Sequence, residues 1–462
     1  MEVEQLLQTS PRVTVLRGGA MGAGQAVLLW VQRAQRATWN HAANVAVEIA
    51  NRLAVPVVSA FCIVPGYPRA TWRAYHFMAE GLRELPDAFA QRRIGWVLRI
   101  GEPDEVIPAL AAELRASAVV TDEDPLAPGR SWRQRVAERL AVPLLSVETD
   151  VIVPTRYLPS EEWAARTIRP KLWRRLDEEL VPVEHPPAAV ASEIRNGPDP
   201  LAAIEQIPLD RSVPPAPGFT GGTREAERRL RHFVTAVLPR YHEDRLRADR
   251  DSTSRLSPYL HFGHISPVQI AIAAREAQAN GVPAAAVEAF LDELITQREL
   301  AINFCLRNPH YDAYAGLPDW GRRTLDRHRH DPRPACYTLE QLEAGQTHDR
   351  IWNACQRLMV LEGWLPNVLR MYWAKQLLHW TRTPEEAHEV AITLNDRYFL
   401  DGRDANGYAQ VAWAIGGRHD RPFPPEKPII GLIRPMGIKA LRKRFDLDAF
   451  VARVEQRLGV SA

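Results

Sequence analysis

Three hydroxyl side chains lie close together at residues 253–257, where the chain reads Thr-Ser-Arg-Leu-Ser. The segment stands at the start of a predicted helix, so hydroxyl groups and free backbone N–H groups occur together. That combination of donors suits a phosphate group. An ordinary helix N-cap explains the same residues, because Ser and Thr are favoured at that position. Taken alone, the cluster predicts either a phosphate site or a cap.

Two tryptophans, Trp373 and Trp380, stand seven residues apart in a stretch with helical periodicity, 368–380. Seven residues make nearly two helical turns, so both indoles lie on one face, about 10 Å apart along the axis. This spacing suits stepwise electron hopping through oxidisable rings. A packed aromatic stripe gives the same pattern, and the spacing does not separate the two interpretations.

A carboxylate, Glu293, occurs in a stretch with helical periodicity, 284–303, among the apolar residues Phe290, Leu294 and Ile295. A carboxylate in apolar surroundings is costly unless it has a partner. Glu293 is therefore either a functional group with a polar partner or a surface glutamate whose stem lies along the apolar face.

Two kinds of domain must position these residues. Short apolar runs alternate with helical patterns over residues 22–155, which predicts βαβ units and a parallel, Rossmann-like sheet with helices on both faces. Strand-like runs almost vanish from residue 214 onward, and helical periodicity continues towards residue 462. The predicted fold is an α/β N-terminal domain followed by an all-helical C-terminal domain.

The remaining segments are predicted to be irregular. Residues 1–21 read as a loose N-terminal extension that ends in a glycine-rich stretch. Residues 156–213 are rich in proline, which breaks regular elements, so they read as an interdomain linker. One helix is expected in this linker, around residues 160–166.

Length and composition limit the class of protein. A chain of 462 residues is expected to form two or three domains. The four cysteines are scattered without metal-binding spacing, which is typical of reduced thiols in a cytosolic protein. No stretch reaches the ~18 apolar residues of a membrane span. The formal net charge of +2 neither requires nor excludes a nucleic-acid partner.

Five ordered motifs together resemble the photolyase/cryptochrome flavoprotein family. The string TSRLSPYLHFG is similar to that family's segment for the FAD diphosphate, and Glu-Leu-Ile with a following Arg-Glu is similar to its next helix. The other three strings resemble class II members specifically. The five motifs lie at residues 253–263, 293–299, 352–381, 394–413 and 164–171.

The resemblance implies a light-driven DNA repair enzyme, a carbon–carbon lyase that splits cyclobutane pyrimidine dimers with reduced FAD in the helical domain. A second antenna chromophore, of deazaflavin or folate type, would belong to the N-terminal domain. The resemblance assigns the following residues to FAD: Tyr241, Thr253, Ser254, Arg255, Leu256, Ser257, Arg298, Asn367, Arg370 and Asp401.

The same resemblance gives five residues a catalytic role. Glu293 would hydrogen-bond the carbonyls of the dimer. Asn395 would face flavin N5, although a helix C-cap is a second interpretation of its sequence context. Trp352 would join Trp373 and Trp380 in an electron-transfer chain.

The expected partner is damaged DNA whose dimer is flipped out of the duplex, bound by a monomer. Met371 and Trp413 would pack on the dimer, while Arg421 and Arg442 would contact phosphates. Gln297 and Pro366 depart from residues common in relatives.

Two other functions fit parts of the pattern. A cryptochrome-like blue-light receptor would keep FAD and the tryptophans without repairing DNA, and Glu293, Met371 and Trp413 argue against it. A nucleic-acid-binding protein without flavin would purify colourless.

Overall fold

The computed structural model describes residues 10–22, 24–250 and 252–459. Its N-terminal part contains a sheet with the strand order β1-β6-β5-β2-β3-β4-β7. β1 pairs antiparallel with β6, and the other neighbours are parallel. The strands are β1 Val13–Arg17, β2 Ala26–Val31, β3 Val57–Ile63, β4 Gly95–Ile100, β5 Ala116–Asp122, β6 Leu144–Val147 and β7 Arg195–Asn196.

The central strands β2, β3 and β5 are buried along their whole length. Their sequences are nearly continuous apolar runs, as expected for parallel strands covered on both faces. The predicted α/β fold of this part is confirmed by these parallel pairings. The helices of this part are α1 His41–Leu53, α2 Trp72–Leu82, α3 Leu85–Ala90, α4 Pro103–Glu113 and α5 Ala127–Arg139.

The expectation of a loose extension over residues 1–21 is wrong for β1. Val13 to Val15 pair with β6, and Val13 is buried in the core. Its five residues, Val-Thr-Val-Leu-Arg, are β-formers at the edge of the sheet. The part of this prediction that concerns residues 1–9 lies outside the described residues.

The linker, residues 156–213, contains more regular structure than its prolines indicate. Its helix begins at Ala165, later than the expected 160–166, because Ile168 and Leu172 bury one face of it against the helical domain. That packing outweighs the cost of Pro170 inside the helix. The linker elements are β7 and the helices α6 Ala165–Trp173, α7 Leu176–Glu179 and α8 Pro200–Glu205.

The C-terminal part is helical, as predicted. π-helical turns continue α9 over Phe233–Val237 and separate α13 from α14 over Asp292–Gln297. Its helices are α9 Thr223–His232, α10 Tyr241–Asp244, α11 Ser257–His261, α12 Pro267–Ala279, α13 Ala284–Leu291, α14 Arg298–Arg307, α15 Asp319–Arg327, α16 Leu339–Glu343, α17 Arg350–Glu362, α18 Asn367–Trp380, α19 Pro384–Tyr398, α20 Ala405–Gly416, α21 Ile438–Arg442 and α22 Leu447–Arg457.

A buried charge cluster joins the two parts. Arg33, at the carboxyl end of β2, forms ion pairs with Asp404 of the helical part and, at 3.4 Å, with Asp150. Gly263 lies against the Arg33 carbonyl, and a Cβ at this position would come within 1.9 Å of that oxygen. Only glycine permits this approach, so the loop after α11 is held directly on the α/β domain.

Candidate functional site

A cavity of about 1290 Å³, including its open mouth, lies within the helical domain. All ten residues predicted to bind the cofactor line it: Tyr241, Thr253, Ser254, Arg255, Leu256, Ser257, Arg298, Asn367, Arg370 and Asp401.

The hydroxyl segment, residues 253–257, does not act as a conventional N-cap. α11 begins at Ser257, and Leu256 stands at the capping position, where no side chain caps the helix. Ser254 Oγ instead accepts a hydrogen bond from the Leu256 backbone N–H at 3.3 Å. Arg255 has a φ of 50°, a conformation that a non-glycine residue rarely adopts. The segment is thus shaped to face the cavity.

Arg298 places an unpaired donor in the cavity wall. It is buried, and its Nη1 donates to the Asp150 carbonyl at 2.6 Å. Its Nη2 has no hydrogen-bond partner among the described residues. A buried guanidinium N–H without a partner is costly, and an anionic ligand in the cavity would satisfy it.

Arg370 and Asp401 form a bidentate ion pair beside the cavity. The two contacts, from Nη1 to Oδ1 and from Nη2 to Oδ2, measure 2.8 and 3.0 Å. The guanidinium also stacks on Phe399, 3.8 Å from the ring centroid. Both contacts fix the plane of the Arg370 side chain.

Asn395 lies inside α19, three residues before its end, so it is not a C-cap. Its Nδ2 donates to Asp396 Oδ1 at 2.9 Å and its side chain lines the cavity. Gly407 of α20 faces this amide, and a Cβ there would come within 2.9 Å of Nδ2. The glycine leaves room for the amide beside the cavity.

Glu293 lies on the π-helical turn Asp292–Gln297 at the edge of the cavity, with 38% of its side chain exposed. Arg245 donates a hydrogen bond to Glu293 Oε1. Burial raises the pKa of the Glu293 carboxyl, while Arg245 opposes the shift. Sequence reasoning missed Arg245, because only the fold brings residue 245 beside residue 293.

The three tryptophans form a continuous stack of rings, all buried. Trp352 of α17 lies parallel to Trp373, with ring centroids 6.2 Å apart, and meets Trp380 edge-on at 5.3 Å. Trp373 lines the cavity and the other two do not. The spatial order is therefore Trp373, Trp352, Trp380, with Trp352 between the two residues that share a helix.

Of the two residues predicted to pack on the dimer, one lines the cavity and the other does not. Met371 lines the cavity, whereas Trp413 is half-buried outside it. The Nζ of Lys375 stands 4.2 Å from the centre of the Trp413 ring and donates to the Ala414 carbonyl at 3.1 Å. Burial lowers the pKa of Lys375 to about 7. Lys375, which the sequence did not single out, holds the Trp413 ring in place.

The two predicted phosphate ligands are exposed and lie away from the cavity wall. Arg421 packs on Phe423, 5.6 Å from the ring centroid. Arg442 forms an ion pair with Asp448 at 3.0 Å. The structure does not bring these two arginines together with the other predicted site residues.

A second cavity, of about 850 Å³, lies between the two domains. Its wall is mainly apolar and includes Trp30, Tyr67 and Phe262 together with Arg33. The turn after β2 is held by Asp122, whose carboxylate accepts hydrogen bonds from three successive backbone N–H groups, at residues 32–34.

A family model described as DNA photolyase matches residues 27–190. The deoxyribodipyrimidine photo-lyase of Methanothermobacter thermautotrophicus is 37% identical over 433 residues, which cover 93% of this chain and 95% of that protein. The chain belongs to the DNA photolyase family. It is therefore an enzyme of the lyase class, and photolyases are flavoproteins.

Solved photolyases share the fold. A class III photolyase from Agrobacterium tumefaciens superposes with a TM-score of 0.74 at 19% identity, covering 94% of this chain and 87% of its own. An archaeal photolyase from Sulfolobus tokodaii with two FAD molecules has a TM-score of 0.69 at 19% identity, covering 93% and 90%. As for the membrane, no helix in the described part of this photolyase is long and apolar enough to cross one.

Proposed function

We propose that this photolyase repairs cyclobutane pyrimidine dimers by light-driven electron transfer from FAD, with class II specificity. The observation that carries the proposal is the single cavity that collects all ten predicted cofactor residues, with Glu293 at its edge and Trp373 in its wall. Its partner is damaged DNA with the dimer flipped out, which costs less for a poorly stacked lesion than for intact bases.

The cavity wall fits FAD chemically. The segment 253–257 and Arg298 offer hydroxyl, backbone and guanidinium donors to a diphosphate. The Arg370–Asp401 pair and Asn395 would face the flavin ring, where a positive guanidinium favours an anionic ring by Coulomb attraction. The bound flavin would supply the photoexcited electron, and the protein binds, orients and excludes water.

Glu293 is suited to donate a hydrogen bond to the dimer. A carboxyl group donates only when it is protonated, and burial shifts the pKa of Glu293 upward. The donating form therefore persists to a higher pH than in an ordinary glutamate, and it is lost as the pH rises through the raised pKa. The guanidinium of Arg245 opposes protonation of Glu293 while it donates to the carboxylate. We expect the lesion to displace or share this hydrogen bond.

The interdomain cavity is proposed as the antenna site. Its apolar walls and its position at the carboxyl ends of parallel strands suit a planar aromatic ligand. The Sulfolobus photolyase, with its two FAD molecules, supports a second chromophore in this fold. Deazaflavin and folate types both remain consistent with the wall.

The hydroxyl segment is tested by replacing Ser254 and Ser257 together with alanine. We expect weaker retention of FAD, because two donors to the diphosphate disappear and each hydrogen bond to a charged group contributes about 1.5–3 kcal/mol. The measurement is FAD occupancy per chain after dialysis, by absorption. Thr235→Ala, an exposed hydroxyl on the turn after α9, is the control. Unchanged occupancy in the double variant would contradict the phosphate assignment.

Glu293→Ala tests the repair proposal itself. Donors placed where negative charge develops typically contribute ~10²–10³-fold in rate. Photochemical splitting is efficient already, so we expect a severalfold fall in repair yield with FAD occupancy unchanged. The measurement is light-driven dimer splitting with prereduced flavin and saturating DNA.

Two further variants sharpen this test. Glu293→Gln keeps an N–H donor and should lose less repair than Glu293→Ala. Glu288→Ala, an exposed glutamate on the preceding helix α13, should repair normally. Equal repair by wild type and Glu293→Ala would remove the role of Glu293, and no repair by either protein would favour the blue-light receptor.

A further inference from the structure

Two indole rings flank two guanidinium groups along the linker at residues 163–173. The guanidinium of Arg166 lies over the Trp163 ring, 4.1 Å from its centroid. The guanidinium of Arg169 lies over the Trp173 ring at 5.0 Å. Arg166 and Arg169 are three residues apart on α6, so they project from the same side of the helix. We call these four residues the linker ladder.

Trp163, Arg166 and Arg169 of the linker ladder face solvent, whereas Trp173 is half-buried against the helical domain. Helix α6 buries Ile168 and Leu172 on the opposite side, while Arg166 and Arg169 are exposed. Trp163 is 47% exposed, which is unusual for a large aromatic side chain. Within the described part of the chain, Arg166 has no carboxylate partner, and Arg169 has only Asp292 at 3.5 Å.

Both ends of the linker ladder are attached to the helical domain by hydrogen bonds. At one end the Trp163 carbonyl accepts a hydrogen bond from His419 Nδ1 at 3.1 Å. At the other end Trp173 Nε1 donates to Thr296 Oγ1 at 3.0 Å, in the same turn that carries Glu293. Arg169, which pairs with Asp292 of this turn, is thus held beside the edge of the cavity, and Arg166 lies on the same helix three residues before it.

We infer that the linker ladder binds the phosphate backbone of DNA beside the lesion, so that the interdomain linker forms part of the DNA surface. This rests on the proposed function. A guanidinium binds phosphate through two parallel hydrogen bonds. Stacking on indole rings orders both guanidinium groups beforehand, so less side-chain entropy is lost on binding. Phosphate contacts position the duplex, and the cavity selects the lesion.

The test is the double variant R166Q/R169Q. Binding to an undamaged duplex and to a dimer-containing duplex of the same length is measured at several salt concentrations. The slope of log K against log salt is negative, and each lost phosphate contact reduces its magnitude by about 0.9, so we expect the magnitude to fall by about 1.8. Affinity should fall on the order of tenfold or more at 0.1 M salt, equally for both duplexes. FAD occupancy should not change.

Two controls separate local contacts from overall charge. R83Q/R195Q removes two exposed arginines of the α/β domain and linker, each paired with one carboxylate, and should leave the slope near that of wild type. R166K/R169K keeps both charges and should keep the slope. A normal melting temperature for all three variants excludes unfolding as the cause.

An unchanged slope in R166Q/R169Q, or an equal fall in R83Q/R195Q, would overturn the inference. A loss confined to the dimer-containing duplex would also overturn it, because backbone contacts do not distinguish the two. Failure of the proposed function looks different: the wild type itself would show no preference for the dimer and no repair in light.

Discussion

Replacing Trp373 with phenylalanine is expected to block or strongly slow the light-driven reduction of oxidised flavin. Trp373 is the member of the ring stack that lines the cavity, and it touches Trp352 in a parallel arrangement at 6.2 Å. Phenylalanine keeps the packing but is far harder to oxidise. An added barrier of only ~1.4 kcal/mol already means a tenfold loss of rate, so we expect a loss well above about tenfold.

The measurement is flavin photoreduction per bound FAD, followed by absorption with an external thiol reductant. Trp352→Phe should give a similar loss, because Trp352 stands between Trp373 and Trp380. Trp364→Phe is the matched control, since Trp364 also lines the cavity but lies under Arg255, outside the stack. Repair by chemically prereduced protein should be unaffected. A normal rate of flavin photoreduction in Trp373→Phe would show that the three tryptophans only pack the core.

Asp404→Ala is expected to destabilise the protein by about 3 kcal/mol, the lower end for removal of one partner from a buried ion pair. Arg33 would stay buried with only Asp150 at 3.4 Å and Asp124 at 3.6 Å. An unfolding entropy of ~2.1 cal/mol/K per residue over 462 residues corresponds to about 1 °C per kcal/mol, so the melting temperature should fall by about 3 °C. The control is Asp87→Ala, from the exposed pair with Arg195, where a change within about 1 kcal/mol is expected.

The same ion pair sets a pH dependence. Burial by itself would raise the pKa of Asp404, but Arg33 and His261 outweigh it and hold the pKa below its usual range. A carboxyl with a depressed pKa stabilises the fold above its unfolded pKa of about 3.9, and this stabilisation is lost as the pH falls through the folded value. Wild type and Asp404→Ala should therefore converge in melting temperature only in acid. A constant difference down to low pH would contradict this assignment.

Sequence periodicity located the helix that carries Trp373 and Trp380. The predicted stretch 368–380 ends where α18 ends, at Trp380, and α18 begins one residue before the predicted start.

The sequence does not predict where the backbone hydrogen-bond pattern of a helix changes. The apolar pattern of 284–303 predicts one continuous helix, yet a π-helical turn interrupts it at Asp292–Gln297. This change of register decides which way Glu293 projects, and π-helical turns are common at functional sites. Nothing in the residue types of this stretch specifies it.

Side-chain contacts between residues that are distant in sequence could not be predicted either. Residues 373 and 380 are seven apart in sequence, but the ring between them belongs to a different helix. Arg245 and Glu293 are 48 residues apart, and Arg33 and Asp404 are 371 apart. Such pairs depend on how elements pack, which a single sequence does not encode in any local pattern.

The ion pair between Arg33 and Asp404 also stands between the two cavities. Arg33 belongs to the wall of the interdomain cavity and Asp404 to the wall of the cavity in the helical domain. We expect a smaller residue at either position to open a connection between the two cavities. Substitutions that adapt either cavity to a new ligand must therefore be designed with both cavities in view.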